Sequence, residues 1–146
     1  MRTKDITSEL LRRLWMQFLN RVSYANKYTQ LVTQKGGKVV NDHIALRTLN
    51  THTGEQPEGI RAMKHILEIL EYKPVAKYRF SKRRLNAVHF EHPDEMFPKI
   101  FVSQLEVDAL PGWAQKIIHD TVKDTPYLLS DIGIEILQLL KREGKL

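Results

Sequence analysis

The alternating run from residue 40 to residue 50 constrains the fold more than any other part of the chain. Successive side chains of a β-strand point to opposite faces. The alternation therefore places Ile44 and Leu46 on one face, and His43 and Arg47 on the other. Such a strand can fill a core with its apolar face, while an imidazole and a guanidinium on the opposite face can hold a metal and an anionic ligand. We predict a candidate site on this strand.

The composition excludes several kinds of chemistry. The chain has 146 residues, the size of one domain with a hydrophobic core, and contains no cysteine. A disulfide, a thiolate metal site and a cysteine nucleophile are therefore impossible, and any metal needs histidine, carboxylate or water ligands. The sequence also has no Gly-x-Ser-x-Gly motif and no glycine-rich phosphate loop.

No apolar run approaches the ~20 residues that span a bilayer, and the charged start at residues 1–5 leads into no signal-peptide core. We therefore predict a cytoplasmic protein with no membrane contact.

The net charge of +6 is densest between residues 77 and 84, where five cations alternate with Tyr78 and Phe80. Basic groups among aromatic rings can bind nucleic acid. We favour a solvated basic turn instead, because the chain has no recognition-helix or RNA-binding signature.

Hydrophobic periodicity predicts a mixed α+β domain. Helices are expected over residues 5–20, 24–34, 60–72, 113–122 and 132–140, and strands around His43 and Arg47 and over 75–80, 86–91 and 99–107. The expected organisation is a single domain, 1–146, with a helical lead-in (1–37), a βαβββ module (38–110) and a helical tail (111–146). The βαβββ order resembles the vicinal-oxygen-chelate, or glyoxalase-like, module, which usually works in pairs around a metal.

Other polar residues are weaker candidates. Gln104 and Glu106 share a face of the last predicted strand. We expect them to orient a metal-binding side chain such as His43 without binding the metal themselves. His89 and Glu91 also share a face, and His92 follows, but their spacing fits no established metal motif and favours surface or supporting roles. No function is assigned to three isolated histidines: His52, His65 and His119.

Three segments make the resemblance specific. Residues 40–49 (VNDHIALRTL), 85–93 (LNAVHFEHP) and 98–107 (PKIFVSQLEV) resemble the signatures of the 2-oxoadipate dioxygenase/decarboxylase family, and Leu14-Trp15 fits its opening helix. The resemblance covers about residues 9 to 110.

The resemblance implies a non-haem iron(II) enzyme that converts 2-oxoadipate and dioxygen to 2-hydroxyglutarate and carbon dioxide in lysine catabolism. It implies that His43 is the first iron ligand and that Arg47 binds a substrate carboxylate. No residue is assigned a catalytic role beyond these.

The chain departs from that family in two respects. Members supply a second histidine and a glutamate from a second module, which leaves the metal site here incomplete, and many have Ser-Glu-Leu where this chain has Ser103-Gln104-Leu105. We favour the first part of a two-module or split enzyme. A homodimer, or a shortened relative that binds a small ligand or a partner without catalysis, is the alternative.

Overall fold

The computed structural model describes residues 3–51, 58–124, 138–139 and 141–144. It contains helices α1 (Thr3–Arg21), α2 (Ser23–Gln34), α3 (Gly59–Ile69) and α4 (Gly112–Val122), strands β1 (His43–Leu49), β2 (Lys73–Phe80), β3 (Leu85–Glu91) and β4 (Lys99–Leu105), and short 3₁₀ turns at Ser81–Arg83 and Val107–Ala109. The predicted order of one strand, one helix and three strands is therefore confirmed.

The four strands form one mixed sheet in the order β1-β4-β3-β2. β1 runs parallel to β4, while β3 is antiparallel to both β4 and β2. The register places His43 opposite Lys99 and Arg47 opposite Ser103 on the β1–β4 pair. In this order β1 pairs with β4 alone among the described strands, so the strand that carries the candidate site lies at a sheet edge.

One face of the sheet is covered by α3 and by the start of α1. The core consists of seven buried side chains, with apolar residues of β1, α1 and α3 packed against them: Leu67, Leu70, Tyr72, Val88, Phe90, Ile100 and Val102. Ile44 and Leu46 pack against this cluster, as the alternation of β1 predicts. His43 and Arg47 consequently lie on the opposite face, which none of these helices covers.

Most predicted boundaries lie within two residues of those in the structure, and two elements end earlier than predicted. α3 ends at Ile69 rather than at residue 72, because Glu71 takes a left-handed backbone with φ of 70° and the Tyr72 amide bonds to the Leu67 carbonyl. β4 ends at Leu105, and a 3₁₀ turn follows. Most of the helix predicted over 132–140 lies outside the described residues.

No described helix combines the length and the apolar character that crossing a bilayer would require.

Candidate functional site

The uncovered face of the sheet carries a concavity of about 470 Å³. Its walls are formed by side chains from all four strands and the residue before β1: Asp42, His43, Ala45, Arg47, Tyr78, His89, Lys99 and Phe101. The structure thus brings His43 and Arg47 into one depression, with the small Ala45 between them on β1. The shape suits a small ligand that lies across the sheet.

His43 is oriented by its neighbour in the chain. Its Nδ1 lies 3.0 Å from Oδ2 of Asp42, and 61% of its side chain is exposed. An acceptor at Nδ1 favours the tautomer with the proton on that nitrogen. Nε2 is then left with a lone pair, which is the form of imidazole that binds a metal ion.

Arg47 is oriented by the adjacent parallel strand. Its Nη1 donates a hydrogen bond of 2.8 Å to Oγ of Ser103, a side chain that is only 2% exposed. Among the residues that the structure describes, this bond to a neutral hydroxyl leaves the guanidinium charge uncompensated and most of its N–H groups unused. Arg47 can therefore bind a carboxylate of a ligand in two-point fashion.

A second set of polar contacts crosses the other side of the depression. The Tyr78 hydroxyl and Nδ1 of His89 are 2.8 Å apart, and Nε2 of His89 lies 3.4 Å from Oε1 of Glu91. The same carboxylate oxygen accepts a hydrogen bond of 2.8 Å from Lys99. This bond from Lys99 is the main reason that the pKa of Glu91 lies below its usual range.

Sequence reasoning did not assign Tyr78, Lys99 or Phe101 to the site. Their strands were predicted, and alternation alone gives which residues of each strand share a face. The missing information was the strand order, because only the arrangement β1-β4-β3-β2 brings Lys99 and Phe101 beside β1 and carries Tyr78 over β3.

Gln104 and Glu106 lie on the helix-covered side of the sheet, so the expectation that they support His43 is wrong. The Gln104 side-chain oxygen accepts a hydrogen bond of 3.0 Å from the Ile60 amide at the start of α3. Glu106 accepts hydrogen bonds from three side-chain amides: Asn50 (3.0 Å), Asn86 (2.8 Å) and Gln104 (2.8 Å). Their common role is to join the ends of β1, β3 and β4 to α3.

His92 is separated from His89 and Glu91. Its side chain is 3% exposed, and its ring packs edge-on against Tyr72 and Phe97. Its Nδ1 accepts a hydrogen bond from the Asp94 amide. A metal clip of these three residues does not form, because His92, which follows β3, packs between Tyr72 and Phe97, whereas His89 and Glu91 face each other on β3. His65 and His119 stand apart from the concavity, and His52 lies outside the described residues.

Among the described residues, no group of three histidine or acidic side chains is arranged to hold a metal ion. His43 supplies one suitable nitrogen, and the carboxylate of Asp42 is engaged with its ring. The described part of the chain therefore does not fit a complete metal centre by itself.

Comparison with known proteins agrees with the fold and the motifs. A glyoxalase superfamily protein from Ralstonia eutropha is 28% identical and superposes with a TM-score of 0.88 over 100% of this chain and 47% of its own. A hydroxyglutarate synthase from Oryza sativa, solved in complex with 2-oxoadipate, is 24% identical with a TM-score of 0.73 and shares the fold over 99% of this chain and 47% of its own.

Among curated proteins, the chloroplastic/amyloplastic 2-oxoadipate dioxygenase/decarboxylase of Oryza sativa is 28% identical over an alignment 117 residues long, which covers 73% of this chain and 31% of the rice enzyme. The chain thus spans less than half the length of these relatives. The sequence profile of 2-oxoadipate dioxygenase/decarboxylases matches residues 8–146. With that match over nearly its whole length, the chain belongs to the 2-oxoadipate dioxygenase/decarboxylase family.

Proposed function

We propose that this chain is the first module of an iron(II)-dependent dioxygenase/decarboxylase that acts on a 2-oxo dicarboxylic acid. The reaction would be that of the family: 2-oxoadipate and dioxygen give 2-hydroxyglutarate and carbon dioxide. A place in lysine catabolism and a cytoplasmic location are part of the proposal.

One observation carries the proposal. His43 and Arg47 stand four residues apart on the uncovered face of β1 and line the same concavity. Along a strand, four residues span about 13 Å between Cα atoms. That separation leaves room for a small dicarboxylate between a group bound at the His43 nitrogen and the Arg47 guanidinium.

The roles of the two residues follow from their contacts. Asp42 fixes the His43 ring so that Nε2 is available as one iron ligand, and Ser103 holds Arg47 while leaving its charge for a substrate carboxylate. Iron would supply the redox chemistry that no side chain of this protein can perform.

We propose that the remaining iron ligands come from a second module. No group of three potential metal ligands is found among the described residues, His43 is the one that we assign to iron, and the chain spans about half the length of the solved relatives. A homodimer is the less favoured source, because two copies of His43 would supply imidazoles but no carboxylate.

The test is an anaerobic titration of the purified chain with iron(II), in the presence of 2-oxoadipate. His119→Ala is the matched control, because this histidine is exposed on α4 and lies outside the concavity. Iron uptake by the wild type and by His119→Ala, but not by His43→Ala, supports the role of His43 as an iron ligand. No uptake by any of the three proteins would show that the single ligand of this chain is insufficient, and would support a second module as the source of the others. Equal uptake by all three proteins contradicts the role of His43.

Binding of 2-oxoadipate, measured by calorimetry, tests Arg47 separately. Arg47→Ala removes a charge-assisted contact, and we expect this variant to bind 2-oxoadipate about tenfold or more weakly than the wild type does. If the chain retains Arg47-dependent carboxylate binding but takes up no iron, the non-catalytic ligand-binding module is the better description.

A further inference from the structure

Tyr78 and Arg47 lie on the same face of the sheet and approach β4 from its two opposite edges, β2 and β1. Arg47 extends from β1 to Ser103 of β4, whereas the Tyr78 ring leans from β2 across β3, with its centroid 5.6 Å from that of Phe101 on β4. Both side chains line the concavity, and 40% of Tyr78 is exposed. A ligand carboxylate held by Arg47 would therefore lie in a depression that Tyr78 closes on its far side.

The contacts of His89 determine which way the Tyr78 hydrogen bond runs. Lys99 keeps Glu91 as a carboxylate, and this carboxylate faces Nε2 of His89 at 3.4 Å. A carboxylate can only accept, so its presence favours the tautomer with the proton on Nε2. Nδ1 is then an acceptor, and the Tyr78 hydroxyl donates its proton to Nδ1 over 2.8 Å.

Because its proton is donated to His89, the Tyr78 hydroxyl can only accept a hydrogen bond from a ligand. A 2-oxo dicarboxylate at neutral pH has only acceptors, namely its keto and carboxylate oxygens. A 2-hydroxy dicarboxylate carries one hydroxyl donor. Of these two ligands, only the hydroxy acid can donate a hydrogen bond to the Tyr78 oxygen.

We propose that Tyr78 accepts a hydrogen bond from the hydroxyl of a bound 2-hydroxy dicarboxylate, and that His89 is the positioning residue that makes Tyr78 an acceptor. The inference rests on the proposed function, in which Arg47 holds the carboxylate. Its consequence is that the site distinguishes the hydroxy acid product class from the oxo acid substrate class.

The test compares 2-hydroxyglutarate with 2-oxoglutarate, which differ only in the group at carbon 2. Calorimetry gives the dissociation constants for the wild type, for Tyr78→Phe and for Tyr28→Phe, whose tyrosine is 62% exposed on α2 and outside the concavity. We expect Tyr78→Phe to weaken 2-hydroxyglutarate about three- to tenfold and to change 2-oxoglutarate less than about twofold. Tyr28→Phe should match the wild type with both ligands.

Two variants of His89 test its positioning role. His89→Asn keeps an acceptor oxygen near the place of Nδ1, so the preference for 2-hydroxyglutarate should be retained. His89→Leu removes the acceptor and frees the Tyr78 hydroxyl to donate, so the preference should shift toward 2-oxoglutarate. The ¹⁵N chemical shift of Nδ1 in the wild type should be that of an unprotonated acceptor and should move in Tyr78→Phe.

The outcomes separate this inference from the proposed function. Suppose that binding requires Arg47, but that Tyr78→Phe changes the affinities for both ligands equally or changes neither. That result overturns the inference and leaves the proposed function standing. Loss of the preference for 2-hydroxyglutarate in His89→Asn overturns the positioning role of His89. If the wild type binds neither acid, the carboxylate site itself is refuted, and the inference with it.

Discussion

Arg47 and Ser103 occupy directly opposed positions on the parallel strands β1 and β4, and their side chains are joined by a hydrogen bond of 2.8 Å. The bond links a solvent-facing cation to a buried hydroxyl. It therefore limits the rotamers of a side chain that would otherwise lose conformational entropy when it binds a ligand.

Ser103→Ala should weaken the binding of 2-oxoadipate about two- to tenfold, because the guanidinium keeps its charge but is no longer held in place. Calorimetric titration of the variant provides the measurement. Thr48→Val is the control, since Thr48 bonds to the Ser103 carbonyl from the helix-covered side and its loss should leave affinity unchanged. Wild-type affinity in Ser103→Ala would show that the bond does not position Arg47.

Gly59→Ala should lower the free energy of unfolding by about 2–4 kcal/mol. Gly59 has a φ of 58°, and a Cβ there would overlap the side-chain amide of Gln104, which caps the start of α3. Urea unfolding monitored by circular dichroism measures the change. Gly112→Ala is the matched control, because a Cβ at that position meets no atom within 4 Å and its effect should be close to zero.

Glu106→Gln should destabilise the module by about 1–3 kcal/mol, since an amide presents one acceptor oxygen to the donors that a carboxylate satisfies with two. The affinity for 2-oxoadipate should stay at the wild-type value, because Glu106 lies on the side of the sheet away from Arg47. Denaturant unfolding and calorimetry report the two effects separately. Asp108→Asn, an exposed acid nearby, is the control. A large loss of affinity in Glu106→Gln would place Glu106 in the ligand site after all.

Tyr72 should make the module sensitive to alkaline pH. Burial raises the pKa of Tyr72 to about 12 from an ordinary value of 10.0. The folded state thus favours the protonated phenol, and this contribution is fully present below pH 10 and is lost as pH rises from about 10 toward 12. The Tyr72 hydroxyl also donates a hydrogen bond to the Pro98 carbonyl.

Comparison with Tyr72→Phe isolates this effect from the titration of lysines in the same range. The wild type should lose more unfolding free energy than Tyr72→Phe between pH 9.5 and 11.5, and phenolate absorbance should show one late-titrating tyrosine only in the wild type. Parallel pH profiles for the two proteins would contradict the assignment.

The sequence was sufficient for the order of the elements and for the face of β1 on which each side chain lies, because both depend on local patterns. Alternation in β1 correctly separated Ile44 and Leu46 from His43 and Arg47. Helix ends were less accurate: the left-handed Glu71 stops α3 early, although glutamate is not a residue that favours that conformation.

The rest of the site depends on which strands are neighbours. Alternation put Gln104 and Glu106 on one face of the last predicted strand. It did not show whether that face lies on the same side of the sheet as His43 and Arg47. The parallel register of Arg47 with Ser103 decides this, and it puts Gln104 on the side of α3. Tyr78 belongs to the site only because the hairpin of β2 and β3 returns beside β4, a relation that no local pattern contains.

The parallel pairing of β1 with β4 also determines when the candidate ligand site can form during folding. Arg47 and its partner Ser103 are 56 residues apart in the chain, and among the described strands β1 pairs with β4 alone. Contacts between distant parts of a chain carry a large loop-closure cost and form late in folding. On the ribosome, the guanidinium stays unpositioned until the last strand has emerged and closed the sheet. A carboxylate ligand that needs this arrangement can bind only the finished module, and it then acts as a selective stabiliser of the fully folded chain.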